Sequence, residues 1–347
     1  MSEVLKKDIN DIVTDLNIPW DHLRNSSVLV TGATGSIGSA LVRALSAANE
    51  RHGLELRSIA CGRNRKRGDD LAASSGFEFV YGDIRDPELF SSTTGNIDYI
   101  LHCAAITVSA EMVDKPADVM ATVADGTRGM LGLAIERGCK SFIYLSSMEV
   151  YGQTALDEVS ESDLGYIDLS SPRSCYPESK RFCEMMCVSY ATQYSLPVKI
   201  ARMAQTFGAG TPKDDTRVFA QFARSAIGGE DIILHTQGES RGNYCYTSDS
   251  VRGILTALLK GKNGEAYNIA NPAASATIRE MANTVANDIC GGEISVTVDV
   301  PKDIAKLGYA PATGHRLNAD RLMALGWNPR YGLAQMYERL IADWQCT

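Results

Sequence analysis

The sequence predicts an α/β protein: a doubly wound parallel sheet followed by a smaller α+β lobe. Three short apolar runs, at residues 28–30, 98–105 and 141–147, end in small or hydroxyl-bearing residues. Apolar runs of this length are typical of strands buried on both faces, as in parallel sheets. A chain of 347 residues, 44% of them hydrophobic, can bury the large core that this fold requires. Before the first strand, residues 1–25 have helical periodicity and predict an appended helix with a packing or dimerisation role.

The stretch from Ser26 to Gly38, SSVLVTGATGSIG, joins the first predicted strand to a helix expected from Ser39 to about Ala48. Glycines recur in it at three-residue spacing. Because glycine has no side chain, the backbone can approach a ligand closely, and the helix N-terminus attracts phosphate. The turn therefore predicts a site for the pyrophosphate of a dinucleotide, formed by Gly32, Thr34, Gly35, Ser36, Ile37 and Gly38.

The end of the second strand, at residues 57–61, bears on the form of the dinucleotide. NAD sites of this type place an acidic residue there to bind the adenine ribose. Here Gly62, Arg63 and Asn64 follow the strand, and Arg-Lys-Arg occupies 65–67. The missing carboxylate and the basic run would accept the 2′-phosphate of NADP. A solvated basic turn is the alternative, so NAD and NADP both stay open.

Two further strand ends are expected beside the glycine turn, because ligands of open parallel sheets bind beyond the carboxyl ends of the strands. The strand at 98–105 runs into small residues, including Ala104, that would let a cofactor approach. The strand at 141–147 places Ser147, Met148 and Glu149 at the same edge. For Ser146 and Ser147 the alternative is ordinary turn chemistry at a strand end.

The stretch PRSCYPESKR, from Pro172 to Arg181, holds Tyr176 and Lys180 four residues apart. On a helix that spacing puts the phenol and the ammonium on one face. Pro177 suits the first position of that helix, where its missing N–H is not needed. A phenol titrates near pH ~10 in water, and a nearby ammonium stabilises the phenolate. The pair is thus a candidate proton-transfer device, although the same spacing also arises by chance at partly exposed helix starts.

The order of TGATGSIG, the strand-end serines with VYG, and Y-x-x-x-K resembles the extended short-chain dehydrogenase/reductase family. Within that family the chain looks like the nucleotide-sugar epimerases, dehydratases and decarboxylases, and PRSCYPESKR is most similar to UDP-glucuronate decarboxylases. The likeness runs from about Ser26 to about Leu340. It implies a Rossmann-type domain at 26–205 that binds NAD, a mainly nucleotide-sugar-binding lobe at 206–347 with segments returning to the first domain, and a homodimer.

The resemblance also implies further site residues. The segment YGDIRD at 81–86 corresponds to the family's adenine side, which makes Asp83 and Ile84 adenine contacts. Gln205 stands where relatives have an asparagine that contacts the sugar nucleotide's phosphates. Arg217 corresponds to an active-site arginine of the decarboxylases.

Two more arginines are expected at the substrate's diphosphate. Arg241 lies one residue before the family's diphosphate arginine, which would fall at Gly242, and Arg316 lies in the closing segment, where a basic residue often reaches the diphosphate. Arg321 is a second candidate in that segment. For Arg217 and for these arginines the alternative is a surface salt bridge.

Composition excludes other classes of function. The net charge of −8 argues against a nucleic-acid partner. The nine cysteines form no C-x-x-C pair and suit reduced thiols in the cytoplasm. Cys183 and Cys187 are interpreted as core residues, and no metal site is predicted. The start of the chain has no signal-peptide core, and no apolar run approaches the ~18 residues that cross a bilayer.

The resemblance implies a mechanism at the sugar's C4. Tyr176, as phenolate, would take the proton of the C4 hydroxyl while the nicotinamide takes the hydride. Ser147 would hydrogen-bond the same oxygen. Lys180 would lower the pKa of the phenol and hold the nicotinamide ribose. The product is a 4-keto sugar.

Three outcomes are open to that keto sugar: decarboxylation, 4,6-dehydration and 4-epimerisation. Glu149 stands where dehydratases and decarboxylases carry a third acid/base, and simple epimerases need none. Met148 replaces the aspartate that donates a proton in glucose-type dehydratases, and a thioether cannot donate one. These two residues favour decarboxylation, with Arg217 near the carboxylate or the protonating water. An NADP-dependent carbonyl reductase and a non-catalytic dinucleotide sensor are the alternatives from other classes.

Overall fold

The computed structural model describes residues 1–300 and 314–346. Its strands, in chain order, are β1 Ser27–Thr31, β2 Arg57–Gly62, β3 Glu78–Tyr81, β4 Tyr99–His102, β5 Ser141–Ser147, β6 Glu158–Val159, β7 Val198–Met203, β8 Gln205–Phe207, β9 Ile232–Leu234, β10 Arg241–Gly242, β11 Tyr244–Tyr246, β12 Ala266–Ile269, β13 Ala276–Thr277, β14 Val296–Val298 and β15 Arg316–Leu317. Its α-helices are α1 Glu3–Val13, α2 Ser36–His52, α3 Arg65–Ser75, α4 Ser109–Asp114, α5 Pro116–Glu136, α6 Cys175–Tyr194, α7 Val218–Gly228, α8 Thr247–Lys260, α9 Ile278–Asn283, α10 Asp320–Met323 and α11 Leu333–Cys346. Short 3₁₀ turns lie at Trp20–Leu23, Met148–Tyr151, Pro172–Ser174 and Pro272–Ala274, and Thr284–Ile289 is a π-helical segment.

The central sheet has seven parallel strands in the order β12-β7-β5-β4-β1-β2-β3. The predicted α/β class is therefore confirmed. From β1 the chain builds outward to β2 and β3, then returns to place β4 on the other side of β1. The strand order thus reverses between β1 and β4, where Thr31 lies opposite His102. In such sheets the crevice beyond this switch point is the ligand site.

Both faces of the sheet are covered, which explains the continuous apolar runs. Val28 and Val30 of β1 lie in one buried cluster with residues of α2 and α8. Leu29, which points to the opposite face, lies in a second cluster with residues of α5 and α6. Cys183 and Cys187 belong to that second cluster, as predicted for core residues.

A separate hydrophobic cluster forms the core of the C-terminal lobe. It joins α7, α9 and α11 to β8, β9 and β11, and the rings of Phe207 and Phe219 stack in it at 4.4 Å. Two segments from this part of the chain return to the first lobe: β12 pairs with β7, and α8 packs against β5 and β7. The division at residues 25 and 205 stays a prediction.

The N-terminal segment forms the expected helix. Ser2 caps α1 by accepting a hydrogen bond from the backbone N–H of Leu5, at 3.1 Å. The helix packs against α2 and α8 and also against α11 of the C-terminal lobe. It therefore contacts both lobes of its own chain.

Two helix boundaries differ from the prediction. α2 begins at Ser36, three residues before the predicted start, because the glycine turn leads directly into the helix. α6 begins at Cys175, so Pro177 is its third residue rather than its first. Proline is tolerated there because the first four N–H groups of a helix have no partner within the helix.

Candidate active site

The glycine turn between β1 and α2 approaches the backbone after β4. Gly32 has a φ of +64°, and a Cβ atom built on it would lie 2.8 Å from the backbone nitrogen of Ala104. A Cβ atom on Gly38 would overlap the carbonyl oxygen of Gly32. The N–H of Gly35 donates to the same carbonyl, at 3.0 Å. Both outer glycines are thus required by close backbone contacts, and the turn is compact.

This turn fits the pyrophosphate of a dinucleotide. Gly35 is exposed and caps α2 without a side chain, so the first amides of a 17-residue helix have no side-chain acceptor. Ser36 opens the helix, and Ile37 packs against the core beneath it. The absence of side chains at the turn leaves a cradle that added Cβ atoms would fill.

A buried chain of hydrogen bonds connects β1, β4 and α5 below the switch point. The Thr31 hydroxyl lies 2.8 Å from Nδ1 of His102, and Nε2 of His102 lies 3.3 Å from the Thr127 hydroxyl. Burial, with the charge of Lys180, lowers the pKa of His102 to about 3, so the ring is neutral. Thr127 donates to the carbonyl of Val123, at 2.6 Å, which orders the chain so that Nε2 carries the proton.

The same chain positions Ala104, whose N–H donates to the Thr31 hydroxyl at 3.2 Å. Sequence reasoning did not single out His102. In the sequence, His102 is a histidine inside an apolar strand. Such a residue is usually a buried core histidine with its hydrogen bonds satisfied.

Tyr176, Lys180 and Ser147 come together at the end of β5. The Lys180 ammonium lies 5.7 Å from the centre of the Tyr176 ring and donates to the carbonyl oxygen of Leu145, at 2.7 Å. The Ser147 hydroxyl lies near the Tyr176 phenol and acts to lower its pKa. Tyr176 and Lys180 are both buried. The predicted placement of the phenol and the ammonium on one helix face is therefore present in the structure.

The pKa of Tyr176, which was predicted to be lowered by Lys180, is raised instead. Burial, and next the charge of Glu149, raise the pKa of the phenol above its ordinary value. Burial also lowers the pKa of Lys180, to about 8. A low-dielectric site disfavours both the phenolate and the ammonium. The ammonium also donates a hydrogen bond to the Leu145 carbonyl rather than to the phenol. The spacing of the two residues could not reveal this, because it says nothing about burial.

Glu149 is held by Arg173. Their side chains form two parallel contacts, Nη2 to Oε1 at 3.0 Å and Nη1 to Oε2 at 2.9 Å. The pair connects the turn after β5 to the 3₁₀ turn that precedes α6. Nε of Arg173 is buried and has no hydrogen-bond partner among the described residues. Sequence reasoning gave Arg173 no role, although it lies only three residues before Tyr176 in the stretch that carries the proton-transfer pair.

The two strand-end serines have different surroundings. Ser146 donates to Glu184, at 2.5 Å, and Glu184 pairs with Arg202 in a buried ion pair. Ser147 instead accepts from the N–H of Glu149, at 3.2 Å, and contacts the phenol. Only Ser147 therefore belongs to the candidate site.

The adenine-side residues lie at the ends of β2 and β3. Asp83 binds Arg85 through two side-chain contacts, the shorter at 2.7 Å, and this pairing lowers the pKa of its carboxyl to about 2. Ile84 packs against Gly126 of α5. A Cβ atom built on Gly126 would lie 2.7 Å from Cγ2 of Ile84. Arg63 is exposed. The contacts of these residues with adenine stay predictions.

Arg217 and Arg316 are exposed in this structure, and each lies beside a carboxylate. Arg217 is 46% exposed and pairs with Asp215 at 2.6 Å. Arg316 is 54% exposed and lies 3.9 Å from Glu158. Both arrangements match the salt-bridge alternative, and a role in binding substrate stays a prediction.

Arg241 is partly buried, 3.3 Å from Glu280, and donates to the carbonyl of Ser275. Gln205 begins β8, and its backbone N–H donates to the carbonyl of Asn243, at 2.9 Å. Their roles in binding substrate likewise stay predictions.

Metal binding is not indicated by the described residues. Within residues 1–300 and 314–346, no group of three or more histidines, cysteines or acidic residues is placed to bind a metal ion. None of the helices in the described part of the chain is both long and apolar enough to span a bilayer.

The fold and the site together define an enzyme of the Rossmann type that uses a nicotinamide dinucleotide. The profile of the NAD dependent epimerase/dehydratase family matches residues 28–270. The chain belongs to this family.

Relatives with known activity include decarboxylases. UDP-glucuronic acid decarboxylase 6 of Arabidopsis thaliana is 30% identical over 315 residues, which cover 90% of this chain and 86% of the relative. UDP-glucuronic acid decarboxylase 1 of Xenopus tropicalis is 29% identical over 277 residues, which cover 80% of this chain and 63% of the relative.

Solved structures with the same fold have other activities. The UDP-glucose 4-epimerase of Thermotoga maritima, solved with UDP-glucose, superposes with a TM-score of 0.78 at 24% identity, covering 92% of this chain and 99% of that one. The dTDP-glucose 4,6-dehydratase DesIV of Streptomyces venezuelae, solved with NAD, superposes with a TM-score of 0.76 at 24% identity. The match covers 92% of this chain and 97% of DesIV.

Proposed function

We propose that this enzyme acts on a nucleotide sugar through transient oxidation at C4, and that its substrate is UDP-glucuronate, which it decarboxylates. The observation that carries the proposal is the meeting of Ser147, Tyr176 and Lys180 at the end of β5, two strands away in the sheet from β1, which leads into the glycine turn. The similarity to UDP-glucuronic acid decarboxylases supports the choice of substrate.

Tyr176 would serve as the base for the C4 hydroxyl, with Ser147 hydrogen-bonded to the same oxygen. The buried phenol is protonated at neutral pH, so it must lose its proton before it can act. Lys180, whose buried ammonium lies 5.7 Å from the centre of the ring, would be the cation that stabilises the phenolate. The nicotinamide, when bound, supplies the acceptor for the C4 hydride.

Glu149 and Met148 favour decarboxylation over the two other outcomes. A 4-keto sugar with a carboxylate at C6 is a β-keto acid, which loses carbon dioxide without a leaving hydroxyl. Dehydration instead needs a proton donor at the C6 hydroxyl, and the thioether of Met148 cannot donate. The Met148 side chain packs against the core next to Ser147 and fills the place where a dehydratase would carry its proton donor. Arg217 would assist at the carboxylate.

The test is a panel of UDP-, dTDP-, GDP- and CDP-sugars, each incubated with the enzyme and NAD or NADP and analysed by mass spectrometry. We expect UDP-glucuronate to lose the mass of carbon dioxide. Loss of water, or an unchanged mass with altered chromatography, would replace decarboxylation by dehydration or epimerisation. Net oxidation of NADPH with a carbonyl compound would indicate a reductase.

Tyr176→Phe provides the matching variant, because it removes only the phenolic oxygen. We expect it to lose at least about a hundredfold in turnover, the usual contribution of a general base. Tyr194→Phe, at an exposed position near the end of the same helix, should retain full activity. A Tyr176→Phe enzyme as active as its parent would refute the mechanism.

We also propose a homodimer formed by α5 and α6. These helices pack against each other, and their outer faces expose large apolar side chains. Exposed apolar groups of this size on neighbouring helices are typical of protein interfaces. The side chains of the proposed interface are Met120 and Ile135 on α5, with Phe182 and Met185 on α6.

A further inference from the structure

We propose that the enzyme binds NADP rather than NAD, with the 2′-phosphate held beside Thr34 and Arg63. This inference rests on the proposed function, since it assumes a dinucleotide on the glycine turn. It concerns the far end of that dinucleotide, where the adenine ribose lies next to the end of β2.

The end of β2 lies directly against the glycine turn. β1 and β2 are paired so that Thr31 lies opposite Cys61, and the N–H of Ala33 donates to the Cys61 carbonyl at 2.9 Å. Gly62, the next residue, is buried. The adenine ribose of a dinucleotide bound on the turn would therefore face residues 62–64.

No carboxylate is present there to bind the ribose hydroxyls, and the Thr34 side chain packs closely against Gly62. A Cβ atom on Gly62 would lie 3.0 Å from Cγ2 and 3.1 Å from Oγ1 of Thr34. The Thr34 hydroxyl therefore lies beside the end of β2. A hydroxyl can donate a hydrogen bond to a phosphate oxygen, which a carboxylate cannot.

The nearest acidic side chain after β3 is already compensated. Both carboxylate oxygens of Asp83 accept hydrogen bonds from Arg85. The charge of Arg63 also acts on this carboxyl. Asp83 therefore offers little free negative charge that would repel a phosphate.

The segment after β2 carries an excess of positive charge. Residues 63–67 hold four cations and no carboxylate, in a chain whose net charge is −8. In the described part of the chain, none of the four forms a salt bridge within 4.0 Å. The guanidinium of Arg65 is fixed instead by stacking on the Tyr81 ring, at 4.7 Å.

Three of these cations lie in the first turn of α3, where Asn64 caps the helix by accepting from the N–H of Arg67, at 3.0 Å. Basic residues in the first turn are unfavourable because the helix dipole is positive there. The arrangement becomes favourable when an anion is bound. Together with the hydroxyl of Thr34 and the missing carboxylate at Gly62, it matches the dianionic 2′-phosphate of NADP.

Binding can be measured directly, by isothermal titration calorimetry of the full chain with NADP⁺ and with NAD⁺. We expect NADP⁺ to bind at least about tenfold more tightly, as two or more charge-assisted hydrogen bonds imply. Raising the salt concentration should weaken NADP⁺ binding more than NAD⁺ binding, because the contacts are exposed. Mass spectrometry of the cofactor released from the purified protein on acid denaturation should identify NADP.

Arg63→Gln separates the 2′-phosphate from the rest of the dinucleotide. We expect the variant to lose the preference for NADP⁺ while its affinity for NAD⁺ changes less than about threefold. Arg51→Gln is the matched control, since Arg51 is an exposed arginine in the last turn of α2, at the opposite end of the helix from the glycine turn. It should bind both dinucleotides as the parent does.

Two results would overturn the inference. Equal or tighter binding of NAD⁺ by the parent enzyme would show that residues 63–67 form only a solvated basic turn, while leaving the proposed function intact. The inference would also be refuted if Arg63→Gln lowered the affinities for NAD⁺ and NADP⁺ by the same factor. If neither dinucleotide bound, the proposed function would fail as well.

Discussion

At the scale of single residues, the pKa of Tyr176 depends on its burial and on groups from two segments, the end of β5 with its following turn and the 3₁₀ turn before α6. Burial and Glu149 raise the pKa of the phenol, whereas Ser147 and Arg173 lower it. The Lys180 ammonium lies 5.7 Å from the centre of the ring but donates to the carbonyl of Leu145. Because Arg173 pairs with Glu149 through two contacts, it partly cancels the charge that opposes ionisation of the phenol.

This balance predicts the effect of Arg173→Met on pH dependence. The variant leaves Glu149 as an uncompensated anion, so the pKa that limits formation of the 4-keto intermediate should rise by about one unit or more. Activity at neutral pH would fall about tenfold or more and would recover as the pH is raised, since the base must be deprotonated. The measurement is the single-turnover rate of cofactor reduction as a function of pH.

The double variant Arg173→Met, Glu149→Gln tests the cause. With the anion removed, the pH profile should move back toward that of the parent, although the later steps stay impaired. Arg128→Met, which removes an exposed ion pair with Asp125, should leave the profile unchanged. A profile that does not move in Arg173→Met would show that the ion pair does not act on Tyr176.

At the scale of elements, α5 and α6 serve two surfaces. Their inner faces form the buried cluster that covers one side of the sheet, and α6 supplies Tyr176 and Lys180. Their outer faces carry the apolar side chains of the proposed dimer interface. On α6 the most exposed of these are Phe182 at 57% and Met185 at 59%. The helix that holds the proton-transfer pair would thus be supported from both sides.

The double variant Phe182→Glu, Met185→Glu should convert the proposed dimer into a monomer, because charges in an apolar interface lose their hydration without gaining a partner. Sedimentation velocity at micromolar concentration measures the result. Ile233→Glu is the control: Ile233 is 54% exposed and lies on β9, in the C-terminal lobe. A parent protein that is monomeric at these concentrations, or a variant that still dimerises, would contradict the interface.

At the scale of the whole molecule, α1 connects the two lobes through buried charges. Asp15 pairs with Arg252 of α8, which packs on the central sheet. Asp8 pairs with Arg339 of α11 and accepts from the Tyr246 phenol, in the C-terminal lobe. Removing α1 would take one carboxylate from each arginine: Arg252 would keep only that of Asp249, and Arg339 would keep its hydrogen bond to the Tyr246 phenol but lose its buried ion pair, which is costly.

Asp8 gives this connection a dependence on pH. Burial raises the pKa of its carboxyl to about 6, although Tyr246 and Arg339 act in the opposite direction. A raised pKa means that the folded chain holds the proton more tightly than the unfolded one. The stability that Asp8 contributes is therefore full below the carboxyl's ordinary pKa of 3.8 and is lost as the pH rises through about 6.

Asp8→Asn should remove that slope. Between pH ~4 and pH ~7 the parent should lose about 1–3 kcal/mol of stability that the variant keeps. The free energy of unfolding of the variant minus that of the parent should therefore increase by this amount. Urea denaturation at several pH values measures this difference. Asp114→Asn, at an exposed position, should show no such trend. A constant difference between Asp8→Asn and the parent across this range would refute the role of Asp8.

The sequence by itself determined the α/β class, the glycine turn, the strand ends that meet at the switch point and the shared face of Tyr176 and Lys180. These features follow from local spacing, because side chains four residues apart on a helix, or glycines between a strand and a helix, occupy predictable places. Only the tertiary structure decided that Arg173 holds Glu149, that Thr31, His102 and Thr127 form one chain, and that burial raises the pKa of Tyr176. It also showed Arg217 and Arg316 beside carboxylates, where spacing alone left two interpretations open. Such contacts join segments far apart in the chain, and both their formation and the dielectric around them depend on how the elements pack.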